Sequence, residues 1–158
     1  MSVRRVLLGG SAAALLLAAS FGCGNGLPDK MKYAAPPTAL LQGGVSVTFQ
    51  LAHADEDEMK VRFYVTNISN QIMTVNRDGF ALRLPDGRIL PRAGSSHDLY
   101  HLGPGQGHNV WVAFKQSGLD LRTVQTASVI IGGITYQSDP MPRVVGEIPL
   151  TLAGSADD

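Results

Sequence analysis

Between residues 45 and 152 apolar side chains recur at every second position, the spacing that sends alternate side chains of an extended strand to opposite faces. Val45, Val47, Phe49 and Leu51 share one face. Met59, Val61, Phe63 and Val65 form another set, against outward Lys60, Arg62, Tyr64 and Thr66. Phe80, Leu82 and Leu84 lead through Pro85-Asp86-Gly87 to Ile89 and Leu90, and those turn residues predict a hairpin. Val110, Val112 and Phe114 continue the alternation opposite Trp111. Gly132-Gly133 divides residues 128–131 from 134–137, and a pair free to adopt positive φ predicts a tight two-residue hairpin. Ile148, Leu150 and Leu152 mark a last strand, which Pro149 should confine to a sheet edge or a bulge because proline has no N–H to donate. Helical spacing is absent apart from one turn at residues 119–124. The pattern predicts an all-β fold of about seven to nine strands in a two-sheet antiparallel sandwich.

The flanks are different. Residues 1–22 carry Arg4 and Arg5, an apolar run to residue 19 and small residues at the end, which is the layout of an export signal. The run is shorter than the roughly 20 apolar residues a membrane-spanning helix needs. Residues 23–44 are rich in Gly, Pro and Ala without strand or helix period and read as a flexible tether. Residues 153–158 read as a frayed tail.

Ser20-Phe21-Gly22-Cys23 resembles the bacterial lipobox. The resemblance implies cleavage before Cys23 and acylation of that cysteine, with each buried CH₂ of the acyl chains contributing about 0.8 kcal/mol to membrane binding. Cys23 is the one cysteine in the chain, so it has no partner for an internal disulfide. Gly24, in place of an aspartate, favours the outer over the inner membrane. The sequence departs from the lipobox at Ser20, where leucine is usual, and at Phe21, where alanine or serine is usual.

Lys and Arg number 13 and Asp and Glu 13, and Arg4 and Arg5 belong to the signal, so the mature chain is slightly acidic with no basic block. Nucleic acid is excluded as an expected partner.

Phe63-Tyr64-Val65-Thr66-Asn67-Ile68-Ser69-Asn70-Gln71, Phe80-Ala81-Leu82, Asp86-Gly87, Leu102-Gly103-Pro104-Gly105-Gln106 and Val110-Trp111-Val112-Ala113-Phe114 together resemble the immunoglobulin-like domains of bacterial lipoproteins. The resemblance spans about residues 45–152 and implies an extracytoplasmic binding or assembly module, with no catalytic residues to carry over. Unlike antibody domains, the chain keeps a tryptophan, Trp111, without the cysteine pair it would pack on.

Little chemistry is legible in local motifs. Asp55-Glu56-Asp57-Glu58 lacks the spacing of a calcium loop and reads as a solvated turn. His97, His101 and His108 lie in one glycine-rich stretch and are the candidate ligands for zinc or copper, although no helix would put His97 and His101 on one face. Ser96-His97-Asp98 are neighbours in an extended chain and point apart, so they make no hydrolase triad. Gly103-Pro104-Gly105-Gln106-Gly107 precedes a strand, not a helix, and reads as a turn. Asn67-Ile68-Ser69 fits the glycosylation pattern, but Asn67 and Asn70 are expected to bond backbone at a strand exit.

The expected protein is thus a non-enzymatic, cofactor-free module of the cell envelope. The membrane is a partner through the lipid on Cys23, and another envelope protein or a polysaccharide is the expected ligand. The alternative is a periplasmic metal carrier using the loop histidines.

Overall fold

The computed structural model describes residues 26–96 and 98–156. The expected signal, Cys23, His97 and the last two residues lie outside that description. Thirteen strands are present: β1 (Met31–Ala34), β2 (Leu40–Gln42), β3 (Val45–Ala54), β4 (Glu58–Asn67), β5 (Met73–Asn76), β6 (Ala81–Arg83), β7 (Ile89–Pro91), β8 (Leu99–Leu102), β9 (Gly107–Lys115), β10 (Thr126–Ile131), β11 (Ile134–Tyr136), β12 (Asp139–Arg143) and β13 (Gly146–Ser155). One-turn 3₁₀ helices occupy Arg77–Gly79 and Leu121–Thr123, the second falling where a single turn was expected.

The fold is an all-β, antiparallel sandwich. The larger sheet runs β7-β6-β10-β13-β1-β3-β4-β9, with β2 added beside β3, and the smaller runs β12-β11-β5-β8. The larger sheet curls until its two ends touch. Arg92, just past β7, bridges Phe114 of β9, and the Ala93 N–H donates to the Ala113 carbonyl at 2.7 Å. Closure of this kind removes open edges, which would otherwise pair with other chains.

The core is what the alternation predicts on β4 and β9: Met59, Val61, Phe63, Val65, Val110, Val112 and Phe114 are all buried. Phe63 packs edge-on to Phe49 at 6.3 Å between ring centres and tilted against Phe80 at 6.1 Å. The predicted hairpin at residues 81–91 is present, its turn held by Leu84 N–H to Arg88 O and Gly87 N–H to Leu84 O.

Five expectations are corrected. The stretch 23–44 is not a tether throughout, because β1 lies between β13 and β3, with Tyr33 buried, and β2 pairs with β3. The free chain between Cys23 and β1 is therefore short. The tail at 153–158 is in part strand, since β13 reaches Ser155 opposite Met31. Leu51 does not share the face of Val45, Val47 and Phe49, because an extra residue, Gln50, interrupts the pairing with β4 and shifts burial to Ala52 and Ala54. Such a bulge flips the side-chain phase by one. Gly132-Gly133 does not close a hairpin. It is the corner where the chain leaves β10 in the larger sheet and enters β11 in the smaller. Finally, thirteen strands stand among the described residues where about seven to nine were expected, because the supposed tether supplies β1 and β2 and the short β5, β8 and β12 were not read as strands.

Pro149 sits inside the larger sheet, in a strand flanked by β10 and β1. The Leu152 N–H points to the β10 side, where it donates to Gln125 O, so alternation turns position 149 to the β1 side. Pairing with β1 ends at Thr151, so the proline removes a donor that would have had no strand to meet.

Candidate functional site

The closure of the larger sheet makes a cleft of about 360 Å³, lined by Lys60, Arg77, Arg92, Ala93, Gly94, Ser96 and residues 111–113. Its side chains come from four separate stretches of sequence. Lys60 and Arg62 lie on the outward face of β4, because their odd-numbered neighbours fill the core. Trp111 lies opposite Arg62 on β9, also outward and 38% exposed. The Arg62 guanidinium stacks over the indole at 4.9 Å from its centre, a cation–π contact contributing about 0.5–1 kcal/mol when exposed.

Arg77 arises from the one-turn helix after β5. That helix is capped by Asn76, whose side chain accepts from the Asp78 N–H at 3.0 Å. From there Arg77 crosses to the larger sheet and donates to the Trp111 carbonyl at 3.0 Å and to Ser96 Oγ at 3.1 Å. It also pairs with Asp98 and lies 5.9 Å from the Tyr100 ring centre. Arg92, its side chain almost wholly buried, pairs with Asp78 and donates to the same Ser96 oxygen at 3.1 Å. The free edge of β9 is thereby covered at two carbonyls, Trp111 by a guanidinium and Ala113 by a backbone N–H.

Among the described residues, the buried side-chain nitrogens and oxygens without a hydrogen-bond partner are Arg62 Nε, beside Trp111, and Arg77 Nε, in the cleft. Buried unsatisfied donors cost about 1–3 kcal/mol each. Lys60 reaches Glu58 at 2.6 Å, and this hydrogen-bonded contact raises its pKa, keeping the amine charged.

The residues singled out in the sequence are distributed differently. His101 and His108 do not converge. Tyr100 stacks on His108 at 4.4 Å, and the adjacent His101 turns to the opposite side of β8, where Nδ1 meets Thr74 Oγ1 at 2.9 Å. Among the described residues no group of three His, Cys, Asp or Glu could hold a metal. Ser96 and Asp98, neighbours of His97, are both engaged by arginine and not by one another. Asp55 closes the β3–β4 turn by accepting from the Glu58 N–H at 2.9 Å.

Asn67 is the buried polar residue of the core, and all its capacity is used. Its amide nitrogen donates to Gln71 O at 2.7 Å and Leu102 O at 2.8 Å, and its oxygen accepts from Ser69 N–H at 3.0 Å and Ser69 Oγ at 2.7 Å. The glycine-rich 103–107 segment is the expected turn, clamped by Gln106 Oε1 accepting from the Gly103 N–H at 2.8 Å. Its function is structural.

Arg77 and Arg92 escape notice in the sequence because they and Trp111 stand 15 to 34 positions apart, in a pattern of no recognisable spacing. The one available signal was a tryptophan on the polar side of a strand.

No family model matches the chain, nor does any curated protein. Among solved structures it is similar to the yjhA protein of Bacillus subtilis, at 13% identity and a TM-score of 0.50, covering 68% of this chain and 94% of that one. It is also similar to a Bordetella pertussis protein provisionally named ApaA, at 9% identity and a TM-score of 0.42, covering 80% of this chain and 97% of that one. At such identities the first likeness speaks to architecture alone, and the architecture it supports is the all-β sandwich.

Proposed function

We propose that the chain is a non-enzymatic binding module of the cell envelope, an immunoglobulin-like lipoprotein domain held to a membrane by a lipid on Cys23, and that the Arg–Trp cleft is where it takes its ligand. The observation that carries the reading is the cleft itself. Cationic side chains from β4, from the helix after β5 and from the end of β7 gather around an exposed indole, where a closed sheet needs only backbone contact. The surface offers charge and an aromatic face, which supports a binding role.

The anchor gives this reading its geometry. Residues 24–30 separate Cys23 from β1, and fully extended they span at most about 25 Å, so the domain works close to the membrane that holds it.

Two measurements test the proposal. Mass spectrometry of the mature N-terminus should find a diacylated or triacylated Cys23, and Cys23→Ala should release the protein from the membrane fraction. Photocrosslinking from position 62 in intact cells should capture an envelope component. An unmodified Cys23 removes the anchor; no capture, together with turnover in an enzyme screen, removes the binding role.

A further inference from the structure

Resting on the reading of the cleft as a binding site, we infer that its ligand is an acidic polysaccharide, laid along the outer face of β4 and β9. The sugar rings lie on Trp111 and Tyr64, and their carboxylates meet Lys60, Arg62 and Arg77.

The outer face is built for such a polymer. Tyr64, 40% exposed, pairs with Asn109, and the Arg62–Trp111 pair is the next along the same face. Tyr64 and Trp111 are therefore diagonal positions on one face of β4 and β9, with the Tyr64 ring leaning away from the indole, so that the two aromatics are spaced along the face. Tyr64 lies flat along the sheet, since a Cβ on Gly107 would fall 2.5–2.7 Å from its ring and hydroxyl. A glycine at that position leaves the ring room to lie down. Around the aromatics the face is polar: Thr48, Thr66 and Asn109 are outward, and Thr48 pairs with Tyr64. Flat aromatic surface suits the C–H faces of sugar rings. Amide and hydroxyl groups suit their hydroxyls.

Charge selects the class of sugar. Lys60 and Arg77 have carboxylate partners, whereas Arg62, stacked on the indole, has none among the described residues, and a neutral glycan would leave it so. A polyphosphate chain is disfavoured because Glu58, Asp78 and Asp98 partner the cations and temper the positive field. Carboxylates spaced one per ring, with apolar faces between them, match cations interspersed with aromatic surface. A folded protein partner would need an apolar centre to its interface, whereas the cleft offers a single indole among polar groups.

The full-length protein, extracted in detergent, can be run by affinity electrophoresis through gels containing polygalacturonate or dextran. Retardation by polygalacturonate, absence of retardation by dextran, and weakening with salt are expected. Trp111→Ala should weaken the polygalacturonate interaction at least tenfold, Arg62→Gln several-fold, and Trp111→Phe, which keeps a ring, should restore most of it. Equal retardation by both polymers, or an interaction indifferent to Trp111→Ala in a variant with unchanged circular dichroism, overturns the inference. A second arm separates it from the broader reading. If isolated envelopes still bind the protein after periodate oxidation but lose it after protease treatment, the cleft is a binding site for protein and the glycan assignment falls. If untreated envelopes do not bind it at all, the binding reading falls as well.

Discussion

The two sheets and the two ends of the larger sheet are joined in opposite ways. At the corner between β10 and β11 backbone meets backbone: a Cβ on Gly133 would lie 2.2 Å from Asn76 O, one on Gly132 2.4 Å from Gly79 O, and one on Gly79 2.2 Å from Gly133 N. Three glycines let two chains approach without side chains between them, and the Asn76 N–H donates to Gly133 O at 2.9 Å across the gap. At the junction of β7 and β9 a single backbone bridge is supplemented by long charged side chains, which reach over the backbone beside a cleft. The glycine junction has no room for anything else and can serve only the fold. The arginine junction closes the same protein beside an open cleft with the exposed indole of Trp111 at its rim, so it can serve both fold and ligand.

The largest expected effect tests the glycine junction. Gly133→Ala, with φ at +71° and a clash against a carbonyl, should destabilise by about 3–5 kcal/mol or prevent folding, read from the urea midpoint. Gly105→Ala isolates the backbone term, because φ is +76° there with nothing within 4 Å, and about 1 kcal/mol is expected. Equal losses at the two positions would mean that close approach does not matter at the corner.

Next comes Asn67→Ala, at about 2–3 kcal/mol, since it strands the Gln71 and Leu102 carbonyls and the Ser69 N–H. A smaller effect is expected at Tyr33, whose hydroxyl shares its proton between Leu121 O and Val124 O, each at 2.7 Å. Tyr33→Phe should cost about 1 kcal/mol. Burial, aided by the Asp120 carboxylate, pushes the phenol from 10.0 up to about 12, so the neutral form is favoured in the fold. Its contribution is complete below pH 10 and is lost as pH rises toward 12. The wild type should therefore lose more stability across that window than Tyr33→Phe does, as followed by urea midpoints at successive pH values. The smallest change belongs to the arginine junction: Trp111→Ala should alter stability by less than about 1 kcal/mol while abolishing ligand retention. A loss as large as that of Gly133→Ala would make the cleft a structural clasp and erase the contrast.

The all-β class, the strands β4 and β9, the hairpin around Gly87 and the turn role of Asn67 were legible in the sequence because each depends on neighbours two to four positions away. Alternation reports burial directly, and turn residues act through their own φ angles. The phase change at Gln50 was not legible, since a bulge is decided by the strand opposite. Likewise Met31–Ala34 carries too short a pattern to announce a strand, and it becomes one because β3 and β13 leave an edge on either side of it.

By itself, then, the sequence determined local geometry: which residues face inward and where the chain turns. Tertiary structure alone decided that Gly132-Gly133 is a corner and not a hairpin, that Pro149 is tolerated inside a sheet, and that Arg62, Arg77, Arg92 and Trp111 share a cleft. The physical reason is common to all three. Each depends on which strands become neighbours when the larger sheet curls shut, and that pairing is set by long-range packing of the core, for which no short stretch of chain carries a mark.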